Sequence, residues 1–190
     1  MKFNMGCGLR KRDGFVNVDS APESEPDELW DLEQTPWPWP SDCAEEIWFI
    51  HSLEHMGADA KVFIAIMKEI YRIAQPGCRI HIHVPHPRHD NFLGDPTHVR
   101  PIMPQMLSLF DRRKNEAWRQ AGAANTPLAL YTGVDFEIVE NTTILAQPYA
   151  GQFNRGELSA DDANHLLKTQ FNIGEEFRMV LVARKDAPVA

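Results

Sequence analysis

The chain opens MKFNMGCGLRKRDGFVNVD, and this stretch limits its fold more than any other. Residues 2–5 and 15–19 are short apolar runs of strand character, with Gly14 as the turn into the second. Only residues 9–14 separate the Gly6-Cys7-Gly8 turn from that second run. A crossover between parallel strands ordinarily takes a dozen residues or more and a helix. The link here is therefore a turn, or a single tight helical turn.

Further on, the strand-helix rhythm is plain. Residues 46–50 (EIWFI) form a continuous apolar run, the pattern of a strand buried on both faces. Val62, Phe63, Ile66, Ile70 and Ile73 fall at helical spacing, and Pro76-Gly77 ends that helix. RIHIHVP at 79–85 follows as a strand. Short helices are expected around 104–110 and 114–121, strands at 136–146 and 175–185, and between these a helix N-capped by Ser159. Residues 20–46 read as loop, where Pro36, Pro38 and Pro40 forbid helix and central strand alike. The pattern predicts a single α/β domain over 1–190 with a mainly parallel sheet and a C-terminal antiparallel pair.

A formal net charge of −8 excludes a broad surface for nucleic acid or anionic membrane. No segment is long and apolar enough for a membrane span or a signal peptide. Three widely spaced cysteines make neither a disulfide framework nor a zinc pattern, so a cytoplasmic location is expected. No feature specifies an assembly state.

The opening stretch also carries chemistry. A glycine after a strand lets backbone approach a ligand closely. In doubly wound sheets ligands sit outside the carboxyl ends of the strands. An acid ending the second strand points into the same crevice, where its carboxylate can accept both hydroxyls of a ribose. Gly6, Gly8 and Asp19 are spaced as two halves of a nucleoside site. The third glycine of the dinucleotide pattern is missing, and no full helix starts under the loop to hold a pyrophosphate. A nicotinamide dinucleotide is thereby disfavoured.

These residues resemble the class I S-adenosylmethionine-dependent methyltransferases, in particular their small-molecule branch. NMGCG is similar to the family's glycine motif, and Asp19 after FVNV to its ribose-binding acid. DLEQTPWPWPSDCAEEIWFIHSLEHM resembles the family's acid-Leu, proline-rich, fourth-strand and LEH stretch. Residues 66–85 resemble its next helix, Pro-Gly turn and fifth strand. The resemblance implies a Rossmann-like domain with a seven-stranded mixed sheet, an antiparallel C-terminal strand and S-adenosylmethionine as cofactor. It places Asn4, Gly6, Cys7 and Gly8 by the methionine and sugar, Asp19 on the ribose hydroxyls, and Asp31 and Leu32 against the adenine. His51 would face the methionine or the reacting methyl. Trp37 and Trp39 are read as packing. The family's first helix is expected to be nearly missing and its N-terminal lid helices absent, since the first strand is expected to begin at the second residue.

HIHVPHPRHDNFLGDPTHVRP holds five of the eight histidines. Its spacing matches no compact metal signature, so no metal is expected. Residues 86–132 leave the fifth strand beside the donor site and are expected to shape the acceptor pocket and cover it. There Asp95 and His98 form a candidate general-base pair, and Arg100 a clamp for an anionic acceptor. The expected reaction is methyl transfer to a small molecule, sugar or lipid-linked acceptor. The competing expectation is a binding or regulatory module that holds the donor without turnover.

Overall fold

The structure is a computed structural model that describes residues 1–185. Seven strands form one sheet: β1 (Lys2–Met5), β2 (Val16–Asp19), β3 (Glu28–Leu29), β4 (Ala44–Ile50), β5 (Ala74–Pro85), β6 (Phe136–Leu145) and β7 (Gly174–Ala183). Their order is β3-β2-β1-β4-β5-β7-β6. The first five strands are parallel, and β7 runs antiparallel to both its neighbours, β5 and β6. The strand at 28–29 lies inside the stretch read as loop. Two residues between prolines are too short to show a period.

The α-helices all follow β4 among the described residues. α1 (Ala60–Ile73) connects β4 to β5. Asp59 caps it, its carboxylate accepting from Lys61 N at 2.7 Å. Its face of Phe63, Ile66, Met67, Ile70 and Ile73 is buried against the sheet residues Phe3, Met5, Ile47, Phe49, Ile80 and Ile82. Each such side chain contributes about 1.5–3 kcal/mol by leaving water. Between β5 and β6 come α2 (Asp90–Leu93), α3 (Pro104–Leu107), α4 (Arg112–Gln120) and α5 (Leu128–Thr132). Ile102, Leu107, Phe110 and Ala129 are fully buried, so 102–132 is anchored in the core at these points while most of 112–126 is exposed or half-buried. α6 (Tyr149–Asn154) and α7 (Ala160–Thr169) lie between β6 and β7, and Ser159 caps α7 by accepting from Asp162 N. Among the described residues no helix is long and apolar enough to cross a membrane.

The first crossover has no helix, as its length dictates. Side chains do the anchoring instead. Asn4 is buried and donates to Arg10 O at 3.0 Å and to Asn17 Oδ1 at 2.9 Å. Asn17 Nδ2 in turn donates to Asp27 Oδ2 at 2.7 Å. Hydrogen bonds from the Asn17 backbone and side chain hold the Asp27 carboxyl below its ordinary pKa. This sheet face stays polar: Trp48 stacks on His81 at 3.9 Å between ring centres, and Arg12 lies 3.9 Å from the Trp48 ring. The opposite face takes in the proline-rich stretch. Trp37 and Trp39 are buried there, and Trp37 Nε1 donates to Leu32 O at 2.9 Å.

Candidate functional site

Two cavities lie side by side at the carboxyl ends of β1–β5. One, of about 460 Å³, is lined by Gly6, Gly8, Asp19, Trp30, Asp31 and Leu32, with His51 and His55 at its inner end. The other, of about 640 Å³, shares Gly6, Gly8, His51 and His55 and is bounded beyond them by Asn91, Asp95 and His98. Both are of ordinary size for a small-molecule site.

The first cavity is built mainly from backbone. Gly6 N and Cys7 N donate to Val18 O at 2.9 and 3.0 Å, folding the loop back onto β2. Gly8 N donates to Asp19 Oδ2 at 2.7 Å, and Ala21 N to Asp19 Oδ1 at 2.9 Å. One carboxylate thus fixes both loops and keeps a lone pair on each oxygen. The two glycines do different jobs. A Cβ on Gly6 would stand 2.5 Å from Ser52 Cβ, whereas one on Gly8 would meet nothing within 4 Å. Gly6 is there to let β1 and β4 close up, and Gly8 opens onto free space. Cys7 lines the second cavity, and burial raises its thiol pKa, so it stays protonated.

Asp31 holds the next turn, accepting from Glu33 N at 2.9 Å and Gln34 Nε2 at 3.3 Å. Leu32 is buried beside it. Trp30 was not anticipated, yet its ring lines the cavity, with Nε1 donating to Gln34 O at 3.2 Å. Its place directly before Asp31 was the available signal. Asn4 lines neither cavity. Its amide is spent on Arg10 and Asn17, which makes it a brace for the glycine loop.

At the shared wall the chain turns sharply after β4. His51 has φ of +52°, a left-handed conformation uncommon for a residue with a Cβ. That turn places its ring between two acids, Nε2 3.3 Å from Glu176 Oε2 and Nδ1 3.7 Å from Glu54 Oε1. The Glu54 carboxylate, seconded by Glu176, raises the His51 pKa against the effect of burial. Glu54 itself is fully buried, and neither carboxylate oxygen has a hydrogen-bond partner. The reading of the LEH stretch passed it over.

Glu54 O accepts from Val99 N at 3.0 Å and Arg100 N at 3.1 Å, which draws the 95–100 loop against the LEH turn. His98 is thereby brought to 4.0 Å from Glu54 Oε1 and 3.8 Å from Asp95 Oδ2. The group that orients His98 is the Phe92 carbonyl, 2.9 Å from Nδ1, rather than Asp95. Asp95 Oδ1 is taken by Thr97, from N at 2.8 Å and from Oγ1 at 2.6 Å. Arg100 lines neither cavity. Its guanidinium donates to Gly57 O and its Cζ lies 4.7 Å from the centre of the Phe63 ring, so it braces the start of α1. The other histidines of this region disperse: His81 and His83 flank Trp48, His86 packs on Phe177, and His89 caps α2.

A scan of protein-family models and a search of curated proteins each find no match to this sequence. The structure does match solved ones. A SAM-dependent methyltransferase from Archaeoglobus fulgidus superposes with a TM-score of 0.57 at 16% identity, over 95% of this chain and 84% of that one. A SAM-dependent methyltransferase from Methanosarcina mazei gives 0.56 at 11% identity, over 97% and 92%. The [4+2]-cyclase SpnF gives 0.55 at 15% identity, over 97% and 75%. With this strand order and these neighbours, the chain has the fold of the class I S-adenosylmethionine-dependent methyltransferases.

Proposed function

We propose that the protein binds S-adenosylmethionine in the first cavity and transfers its methyl group to a small acceptor in the second. One observation carries this reading: the Asp19 carboxylate is fixed by Gly8 N and Ala21 N on the wall of a cavity beside which Gly8 leaves open space. Its remaining lone pairs suit the two ribose hydroxyls. Trp30 and Leu32 offer apolar surface to the adenine, and Asp31 an acceptor for its amino group. The methionine end then points to His51, where the cavities meet.

The reaction is an in-line displacement, in which the sulfur–methyl bond breaks as the acceptor–methyl bond forms. Its main demand is alignment, so positioning dominates. Asp95 and His98 act on the acceptor, and residues 86–101 cover that side. Arg88 Nη1 donates to Lys168 O, and Asn172 bonds Asp90, which fastens the cover to the end of α7. Cys7, Cys43 and Cys78 are unpaired, as a reducing cytoplasm would leave them.

The test has two stages. S-adenosylmethionine and S-adenosylhomocysteine should raise the melting temperature, and NAD should not. S-adenosylhomocysteine should then accumulate when donor and a metabolite extract are supplied. Absence of any donor effect overturns the reading. Donor binding without product leaves the non-catalytic module, or a different chemistry on the same fold, for which the cyclase neighbour is the precedent.

A further inference from the structure

Where the cavities meet, three side chains converge. One ligand atom from each of Glu54, His55 and His98 lies within 4.8 Å of the other two. Their proton positions follow from their partners. The Phe92 carbonyl can only accept, so His98 Nδ1 carries the hydrogen. The Thr97 hydroxyl donates to the Asp95 carboxylate, which can only accept. Its oxygen is left to accept from His55, so Nδ1 of that ring carries the hydrogen as well. With Nδ1 so engaged, each ring has Nε2 to offer as a ligand atom. The Glu54 carboxylate is fully buried and both its oxygens lack a partner.

Such a cluster is a set of acceptors without a donor. A buried carboxylate is costly unless it is paired or coordinated. His51 relieves it only in part, since Nδ1 at 3.7 Å is within ion-pair range but beyond hydrogen-bond reach. A cation at the centre would satisfy all three groups at once. The hydrogen bonds from Phe92 O and Thr97 Oγ1 resemble the outer partners that fix ring orientation and tautomer in histidine metal sites.

We infer that Glu54, His55 and His98 bind one divalent transition-metal ion at the wall between the two cavities. Two imidazoles and a carboxylate suit borderline ions such as Zn²⁺, Fe²⁺ or Co²⁺ better than Mg²⁺ or Ca²⁺. Three protein ligands leave a coordination position open, as in sites that act on a substrate. That position faces the cavity of Asn91 and Asp95. The acceptor class it selects is an oxygen or sulfur anion able to ligate the ion. The sequence hid this site because its ligands are far apart: Glu54 and His55 precede α1, and His98 follows β5.

The experiment strips the purified chain with a chelator, then titrates it with Zn²⁺ by calorimetry and with Co²⁺ by visible absorption. One ion per chain should bind, with the absorption of a low-symmetry Co²⁺ site. Glu54→Gln and His98→Ala should each weaken binding at least tenfold. Circular dichroism checks their folds, and His55→Ala, a part-exposed ring, repeats the test without disturbing the core. Failure to bind one equivalent, or binding that none of the three variants weakens, overturns the site. S-adenosylhomocysteine affinity measured on the same samples reports the donor cavity separately. Metal can therefore be absent with donor binding intact, or the reverse, and the two proposals fail independently.

Discussion

The two cavities share a wall but are made of different materials. The glycine-loop wall of the first cavity is held by backbone and one carboxylate: Gly6 N and Cys7 N donate to Val18 O, and Gly8 N to the Asp19 carboxylate. The acceptor side is made of side chains that titrate or ligate: His51, Glu54, His55, Asp95 and His98. The first is held by these bonds before any ligand arrives. The second holds a buried carboxylate, Glu54, with no hydrogen-bond partner and with His51 at 3.7 Å. Under the proposed function, a hydrogen-bonded site for the donor beside a site of titratable side chains for the acceptor is the division that methyl transfer by alignment calls for.

If the donor side is held by backbone, the sharpest way to break it is to fill its free space. Gly8→Val should cost more than about a hundredfold in S-adenosylhomocysteine affinity by calorimetry. The side chain enters the open space, and the φ of +48° strains a branched residue by about 1–3 kcal/mol. Gly8→Asn separates the two effects, because asparagine tolerates that conformation. A folded Asn variant with normal affinity would refute the close-approach argument. Asp19→Ala should come next, at about ten- to a hundredfold. It removes hydrogen bonds to a charged group, each worth roughly 1.5–3 kcal/mol, and frees Gly8 N and Ala21 N. Unchanged affinity would remove Asp19 from the site.

The same contrast explains what was legible in the sequence. The donor side lies within a few dozen residues, so spacing alone could pair Gly8 with Asp19 across a turn. Strands such as 46–50 and the helix at 60–73 announced themselves by period. The acceptor side is assembled by folding. Glu54 meets His98 only because its carbonyl receives Val99 N and Arg100 N, a contact no local pattern encodes. Arg100 looked like an anion clamp because its charge was visible and its partners, Gly57 and Phe63, were not. Asn4 sat in the right motif on the wrong sheet face: Phe3 and Met5 point to the core, so the residue between them points away. Burial of Glu54 had no signature in a run as short as SLEHM.

Within the glycine loop the comparison can be narrowed to one atom. Gly6→Ala should behave as a packing variant, because its Cβ collides with Ser52. Ser52 Oγ donates to Met5 O at 2.8 Å and cannot retreat without losing that bond. Overpacking of this kind costs about 1–3 kcal/mol, or several degrees in melting temperature. Donor affinity of the folded fraction should change far less than in Gly8→Val. Equal affinity losses at the two glycines would mean that both contact the ligand, and the distinction between them would fall.

The smallest expected effect tests the charge stored on the acceptor side. Glu54 and Glu176 raise the His51 pKa in the folded state. A histidine with a raised folded pKa adds stability that is fully present below its unfolded value, near about 6.5, and is lost as pH rises through the folded value. His81, His83 and His86 go the other way: burial lowers their pKa, so they cost stability as pH falls below that same unfolded value. The whole protein is therefore expected to weaken on acidification while His51 opposes the trend. His51→Gln removes the opposing group. The melting-temperature gap between native and variant protein, measured with chelator present, should be wider at pH 5.5 than at pH 8.5. The ring is part-exposed, so solvent screening keeps the difference to at most about 1 kcal/mol, or a few degrees. A gap independent of pH would show that Glu54 does not act on His51 as a charge. The donor and acceptor sides would then differ in composition but not in electrostatics.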